Sequence, residues 1–289
     1  MAEERMIFRC EDSVDGIFTA IYKAWEYGTS RSSVELNICA TMRLFVQYAD
    51  VEADYGIALK VADTIRNRLS EEVYNIVWRA ALSDWADKAE HIYRFLRKGF
   101  RMGASVIDYR QDEDVNAVCR MSEYAGREAH KYTGFVRFEE NVNGVLVARI
   151  APKNNIVPLI ADHFADRLRQ ENWIIADVNR GCAAIHRAYM EPVIMMGISG
   201  DSIAALTTES ADETEFKKLW SSFLNSVSIE ERRNRRQQMT MMPLRYRTLI
   251  LFQFVAKLSC SFNQIDETGF CLVLSTCLET AVRIYPELV

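Results

Sequence analysis

GREAHKYTGFVRF, residues 126–138, is the stretch on which the fold prediction depends. Its first half has helical character, Gly134 is a helix-ending residue, and Phe135–Phe138 has the β-forming side chains of a strand. A histidine, a carboxylate, three cations and three aromatic rings lie within these thirteen positions. The stretch therefore predicts a helix-to-strand junction that carries an unusual density of functional side chains.

The composition is that of a globular protein with a substantial core. The chain has 289 residues, of which 49% are hydrophobic, and only 12 are glycine and 5 proline. No low-complexity tract is present, so long linkers are not expected. The formal net charge of −5 gives no support for nucleic-acid binding at the level of the whole chain. Any such case must come from local clusters of cations.

The seven cysteines predict reduced, mostly buried thiols. None forms a Cys-x-x-Cys pair, and none has zinc-like spacing with the four histidines. The first residues lack the apolar segment of a signal peptide, and the apolar run Leu249–Leu258 is too short to span a bilayer. Together these features predict a cytoplasmic protein without a membrane segment.

The N-terminal half is predicted to be mostly helical. A strand at Met6–Cys10 leads through a Ser13 N-cap into a helix over residues 14–27, and residues 28–33 form a loop. Met42–Tyr48 is a second strand. Residues 52–102 form three consecutive helices with breaks near 69–70 and 83–84, and Asp112–Tyr132 is the next helix.

The following residues predict an α+β module with an antiparallel sheet. Its order is β-hairpin, helix, β-hairpin, and a further helix follows at Ser210–Asn225. The predicted elements are Phe135–Glu140, Val145–Ile150, helix 156–170, Trp173–Val178, Cys182–Arg187 and Pro192–Gly197. The whole is predicted as a single domain over residues 1–247, with a helical part at about 52–132 and an α+β part at about 134–197. Residues 248–289 form an apolar extension.

Two local patterns place cations beside aromatic rings. Arg120, Arg127 and Lys131 share one helical stripe with Tyr124 between them. For the stripe taken alone, a solvated surface with an Arg127–Glu123 pair is the more common explanation. On the predicted sheet, Phe135, Arg137 and Arg149 face outward together, which suits base stacking and phosphate contact. The alternative is a sheet covered on both faces, with Arg137 paired to Glu139.

The strongest positive cluster of the sequence lies at residues 232–236. Further cations follow at Arg245 and Arg247 beyond Pro243. Such a run is sufficient for phosphate contacts, although a bare charge run is more often a solvated surface. The nucleic-acid-binding candidates are Arg120, Arg127, Lys131, Phe135, Arg137, Arg149, Arg167, Arg232, Arg233, Arg235, Arg236 and Arg245.

His130, His163 and Asp177 are the candidates for a catalytic role. Glu128 lies two residues from His130, so the two side chains diverge on a helix and do not form an acid–base pair by themselves. At either position a structural histidine is the safer expectation. The sequence has no glycine-rich phosphate loop, no zinc-deaminase pattern and no cysteine triad for an iron–sulfur cluster. No cofactor or metal is therefore predicted.

Several segments, in this order, resemble a bacterial family described as DNA metabolism or DNA repair proteins and named for a domain of unknown function. The resemblance covers roughly residues 6–247. It is carried by Asp15-Gly16, Gly126–His130 continuing into Gly134–Phe138, Ala148–Pro152, Leu159–Arg167, Trp173–Asp177 and Ile229–Tyr246.

The resemblance implies a partner and a process. Such proteins are typically encoded beside a radical SAM protein similar to spore photoproduct lyase, and some relatives are fused to a uracil-DNA-glycosylase-like domain. This context implies repair or modification of DNA bases, and it supplies no catalytic residues. Since the cysteine triad is missing, the chain is not itself the radical SAM enzyme.

Three hypotheses follow. The chain is a DNA-binding accessory protein of a base-repair enzyme, gripping phosphates with its arginines and stacking bases on Phe135. Alternatively, it is a glycosylase- or nuclease-like enzyme acting on DNA, in which His130, His163, Arg127 and Asp177 converge in one cleft. As a third possibility, it is a protein-binding scaffold for the radical SAM partner, without DNA contact.

Overall fold

The computed structural model describes residues 5–38 and 46–206, and after these positions 213–215, 218–219, 222, 226, 234–241, 243 and 246. These residues belong to two units. The first takes the described residues up to Glu128 together with Lys153–Ile156. The second takes Ala129–Pro152 and the described residues from Val157 onward. The extension at 248–289 and most of the predicted helix at Ser210–Asn225 lie outside the described residues.

The described elements confirm a mixed α+β protein with a largely helical N-terminal half. A 3-10 helix at Ala104–Asp108 precedes the longest α-helix. The bounds are β1 Arg5–Cys10, α1 Val14–Tyr27, β2 Ser32–Leu36, β3 Val46–Val51, α2 Tyr55–Arg68, α3 Glu71–Ala81, α4 Lys88–Met102, α5 Glu113–Phe135, β4 Glu139–Glu140, β5 Leu146–Ile150, α6 Val157–Arg167, β6 Trp173–Asp177, β7 Cys182–His186, β8 Val193–Met195, α7 Gly200–Leu206 and α8 Arg235–Met241.

Three helices of the first unit, α1, α2 and α3, begin where polar side chains cap them. The three predicted helices between residues 52 and 102 are confirmed as α2, α3 and α4. At the start of α1, α2 and α3 a side-chain oxygen accepts a hydrogen bond from a backbone N–H three residues on, which satisfies a donor that has no partner within the helix. These pairs are Ser13 with Gly16, Asp54 with Ile57, and Ser70 with Val73.

The first unit contains a three-stranded parallel sheet in the order β2-β1-β3. Here the prediction of a loop at residues 28–33 is wrong at its end, because β2 begins at Ser32. Helix α1 is the crossover that lets β1 and β2 run parallel. The predicted strand Met42–Tyr48 overlaps β3 only from Val46, and residues 42–45 lie outside the described part of the chain.

The sheet of the second unit has the order β4-β5-β6-β7-β8. It is not purely antiparallel as predicted, because β5 pairs with β6 in parallel. Helix α6 lies between these two strands in the sequence, so it returns the chain to the start of β6 and both strands run the same way. The β6–β7 hairpin and the short strand β8 confirm the predicted order of the later elements.

The junction at the end of α5 differs from its prediction. Gly134 does not end the helix, which continues to Phe135, and Val136 N–H still donates to Tyr132 O at 2.9 Å. Consequently Phe135 belongs to a helix, residues 136–138 form no strand, and β4 has only two residues. The predicted sheet face shared by Phe135, Arg137 and Arg149 does not exist.

The described cysteines are free and buried, in agreement with the prediction. Burial raises the pKa of Cys10 to about 12, and the carboxylates of Asp12 and Glu11 add to the effect. Burial also raises the pKa of Cys182 to about 11. Both thiols therefore stay protonated at neutral pH, and neither has the chemistry of a reactive thiolate.

Candidate nucleic-acid interface

Arg120 and Arg127 are exposed on the part of α5 that belongs to the first unit. The Arg127 side chain is 72% exposed, and its nearest carboxylate oxygen, on Glu123, lies 3.8 Å away. Glu123 also binds Arg110 at 2.9 Å. Exposed pairs of this kind contribute about 1 kcal/mol or less, so Arg127 can exchange its partner for a phosphate at little cost. Arg120 lies 5.9 Å from the Trp85 ring centroid.

Glu128, in the centre of the Gly126–His130 segment, is a buried structural residue. Its carboxylate accepts hydrogen bonds from Lys153 N at 3.2 Å and from Asn154 N at 2.8 Å. It also accepts from the Asn154 side-chain amide, whose oxygen in turn binds Asp84 N. The carboxylate thus fastens residues 153–154 within the first unit, and every one of its contacts is explained without catalysis.

In the second unit, Tyr246 packs onto the C-terminal end of α5. Its ring centroid lies 5.2 Å from that of Tyr132 and 5.6 Å from that of Phe135, and the ring is 2% exposed. Lys131 Nζ lies 5.9 Å from the Tyr246 ring centroid, and Lys131 itself is exposed. This contact brings residue 246, which belongs to the arginine-rich segment at residues 232–247, beside a cation of the 126–138 stretch.

Phe135, the predicted stacking residue, is half-buried and in contact with Tyr246. Arg137 is exposed just beyond the helix. Arg149 is half-buried on β5 with its guanidinium 3.9 Å from the Glu139 carboxylate. Of the three side chains predicted to share a sheet face, Arg137 is the most accessible to a ligand.

The remaining predicted cations are unevenly described. Arg167 is exposed in the last turn of α6, and Arg236 is exposed on α8. Arg235 is described only as a helical position. Arg232, Arg233 and Arg245 lie outside the described residues.

The two candidate histidines are both exposed. His130 is one residue before Lys131 on α5, and its carbonyl accepts a hydrogen bond from the Thr133 hydroxyl. His163 lies on α6 with its ring 5.1 Å from that of Phe164. Among the described contacts, none joins either histidine to the other or to Asp177, so their catalytic role stays a prediction.

Asp177 is fully buried at the end of β6. Its carboxylate accepts from Asn179 N at 2.9 Å and from the Arg180 guanidinium at 3.0 Å. Arg180 also donates to Pro152 O at 3.1 Å. Burial raises the pKa of Asp177, although Arg180 and the backbone amides oppose the rise. These contacts favour a structural role, in which Asp177 fixes the β6–β7 turn.

Within the described residues, no group of three or more His, Cys, Asp or Glu side chains is arranged to hold a metal ion. Nor does any described helix combine the length and the apolar character needed to cross a membrane.

The family comparison covers the region that contains these residues. A family model for a domain of unknown function, DUF4130, matches residues 86–251, which is more than half of the chain. The chain belongs to the DUF4130 family. No curated protein matched the sequence.

The DUF4130 region begins just before α4 and includes every predicted binding and catalytic residue, from Arg120 to Arg245. The sequence resemblance was expected to extend from about residue 6, but the family match leaves the first 85 residues uncovered. β1, α1, β2, β3, α2 and α3 therefore lie outside the matched region.

Sequence reasoning missed one polar network of the DUF4130 region. His91 Nδ1 lies 2.9 Å from Asp114, and Lys98 binds both Asp112 and Asp114. Burial acts to raise the pKa of Asp112, but hydrogen bonds from Lys98 and from the amides of residues 114 and 115 outweigh it and lower the pKa. The detectable signal was the spacing of His91 and Lys98, seven residues apart on one face of α4.

Proposed function

We propose that this DUF4130 protein binds DNA in the bacterial cytoplasm and works with a radical SAM protein on damaged or modified bases. The family resemblance of the sequence supports the process and the partner. The observation that carries the binding proposal is the packing of Tyr246 against Phe135 beside the exposed Lys131. This contact joins the 126–138 stretch to the arginine-rich segment, which lies about a hundred residues later in the sequence.

Chain length limits how far the arginine-rich helix can lie from this contact. Helix α8 ends at Met241, five residues before Tyr246. An extended chain spans at most about 3.5 Å per residue, so Met241 lies within roughly 17 Å of Tyr246. That distance corresponds to only a few nucleotides of a DNA backbone, since phosphates recur every ~3.4 Å along each strand. Arg236 lies five residues before Met241 on α8, about 8 Å further along the helix, so it lies within roughly 25 Å of Tyr246. Lys131 and Arg236 can therefore contact phosphates of one strand that are no more than about seven nucleotides apart.

We expect DNA binding that weakens steeply with salt, because each phosphate contact releases counterions. Replacing Lys131 or Arg236 with alanine should weaken binding and reduce the salt slope by about one for each phosphate that is no longer neutralised. Tyr246→Ala should weaken binding more than either cation variant because it detaches the arginine-rich segment, whereas Tyr246→Phe keeps the ring and much of the affinity. Fluorescence anisotropy with single-stranded, duplex and damaged DNA measures these effects.

The matched control is Arg101→Ala, which removes an exposed cation from the last turn of α4 and should leave DNA affinity unchanged. Each titration is run with and without the radical SAM partner. DNA affinity that is constant between about 50 and 200 mM salt would contradict phosphate binding. Partner binding in the absence of any DNA binding would instead establish the scaffold hypothesis.

Direct action on DNA by this chain is the less favoured proposal. It requires Asp177 to share a cleft with His130 and His163, whereas the Asp177 carboxylate is buried and bound to Arg180. Base excision or strand cleavage by the purified protein alone, abolished in His130→Ala and His163→Ala, would reverse this preference.

A further inference from the structure

A pocket in the first unit takes no part in the proposed interface. It has a volume of about 400 Å³ and lies between α1, α2 and α4. Most of its lining comes from α1 and α2, which lie before the DUF4130 match. A volume near the lower end of the usual ligand-site range of about 300–1,000 Å³ suits one small molecule.

Aromatic side chains form one wall of this pocket. Tyr22 and Trp25 are 37% and 38% exposed, so both rings are accessible to a ligand. Trp25 is held by edge-on contacts with Tyr93 and Phe100, at centroid distances of 6.3 and 5.2 Å. Tyr93 is in turn fixed by a 2.6 Å hydrogen bond with Ser32. The indole is therefore positioned in advance for stacking a planar ring.

Cations line the pocket on its α2 side. Lys60, Thr64 and Arg68 follow one another at intervals of four residues on α2, so their side chains project from the same face. Both cations are exposed, and within the part of the chain that the structure describes neither has a carboxylate partner. Glu26, the acid of the lining, is bound to Lys23 at 3.4 Å. The local charge is thus positive in a protein with a net charge of −5.

We propose that this pocket binds a single nucleotide, with the base against Trp25 and Tyr22 and the phosphate on Lys60 and Arg68. A flat aromatic ring and an anionic group within one molecule match the two walls. The pocket is too small for a duplex, whose major groove alone is about 12 Å wide. The same chemistry is offered by a free nucleotide and by an unstacked nucleotide of a DNA strand. This binding does not depend on the interface at Tyr246.

Calorimetric titration of the full chain tests the site, with AMP and thymidine monophosphate as probes and adenosine and inorganic phosphate for comparison. Trp25→Ala should weaken nucleotide binding by about tenfold or more, which is typical for removal of one stacking partner. The double variant Lys60→Ala/Arg68→Ala should lose the preference for AMP over adenosine while adenosine binding stays the same. The double variant should fold like the wild type, because both replaced side chains are exposed.

Tyr189→Ala and Arg169→Ala, which remove an exposed aromatic and an exposed cation from the second unit, are the controls and should bind AMP normally. A short 5′-phosphorylated oligodeoxyadenylate distinguishes a site for a free nucleotide from a site for an unstacked nucleotide of a DNA strand. If AMP displaces the oligonucleotide and Trp25→Ala weakens its binding, the site takes a nucleotide of a DNA strand. If AMP binds and the oligonucleotide does not, the site takes a free nucleotide. The site proposal is overturned if neither mononucleotide binds, or if Trp25→Ala and the double variant bind both as the wild type does. DNA binding that is retained in these variants would leave the Tyr246 interface intact.

Discussion

Glu128→Ala is expected to destabilise the protein by about 3–4 kcal/mol, because it leaves buried hydrogen-bond donors without an acceptor. Asn154 is fully buried, and both its backbone N–H and its side-chain amide donate to Glu128. Each unsatisfied buried donor costs about 1–3 kcal/mol. Urea denaturation followed by circular dichroism measures the change in the free energy of unfolding.

Glu123→Ala is the matched control, since Glu123 lies on the same helix with its side chain 49% exposed. It should change stability by no more than about 0.5 kcal/mol. Glu128→Gln keeps one acceptor oxygen and should fall between the two. If Glu128→Ala were as stable as Glu123→Ala, the buried carboxylate could not be what fastens residues 153–154.

Glu128 also shows what the sequence could and could not predict. Its helix was predictable from the spacing of apolar residues, and its burial follows from that helix. Its role depends on Asn154, which is 26 positions away and approaches only in the folded unit. Helical geometry had already argued against an acid–base pair of Glu128 with His130, and the long-range contacts of Glu128 add a structural role that the local sequence does not reveal.

Strand direction was the part of the fold most easily misjudged. The strands of β5 and β6 and the helix between them were all predicted within a few residues, yet the sheet was expected to be antiparallel. The crossover through α6 decides the direction, and a β-α-β order in the sequence already implies a parallel pair. The same order of β1, α1 and β2 was hidden because Ser32–Leu36 was assigned partly to a loop.

For the candidate interface, the sequence predicts the exposure of single residues but not the contacts between distant segments. The exposure of Arg120 and Arg127 follows from helical periodicity, which places them opposite the buried Val118 and Ala125. The docking of Tyr246 on Phe135 does not follow from any local pattern. The helical position of Phe135, one residue beyond Gly134, is the one in which its ring contacts Tyr246.

Arg180→Ala is expected to destabilise the protein by roughly 3 kcal/mol at about pH 7 and by less than half as much at about pH 4. Arg180 neutralises the fully buried Asp177 and also binds Pro152 O. Burial raises the pKa of Asp177 in the wild type, and Arg180 is the first of the groups that oppose this rise. Without Arg180 the folded-state pKa rises further.

A carboxyl group whose folded pKa lies above its unfolded value stabilises the fold in its protonated form, below the unfolded pKa of about 3.9. That stabilisation is lost as pH rises through the folded pKa, because the carboxylate must then be charged in a buried site. The destabilisation caused by Arg180→Ala is therefore larger at neutral pH than at acid pH. Thermal unfolding of the variant and the wild type at a series of pH values measures this difference. Arg187→Ala, at an exposed position after β7, should follow the wild-type profile. An equal destabilisation at both pH values would mean that Arg180 acts through its hydrogen bond to Pro152 and not through the charge of Asp177.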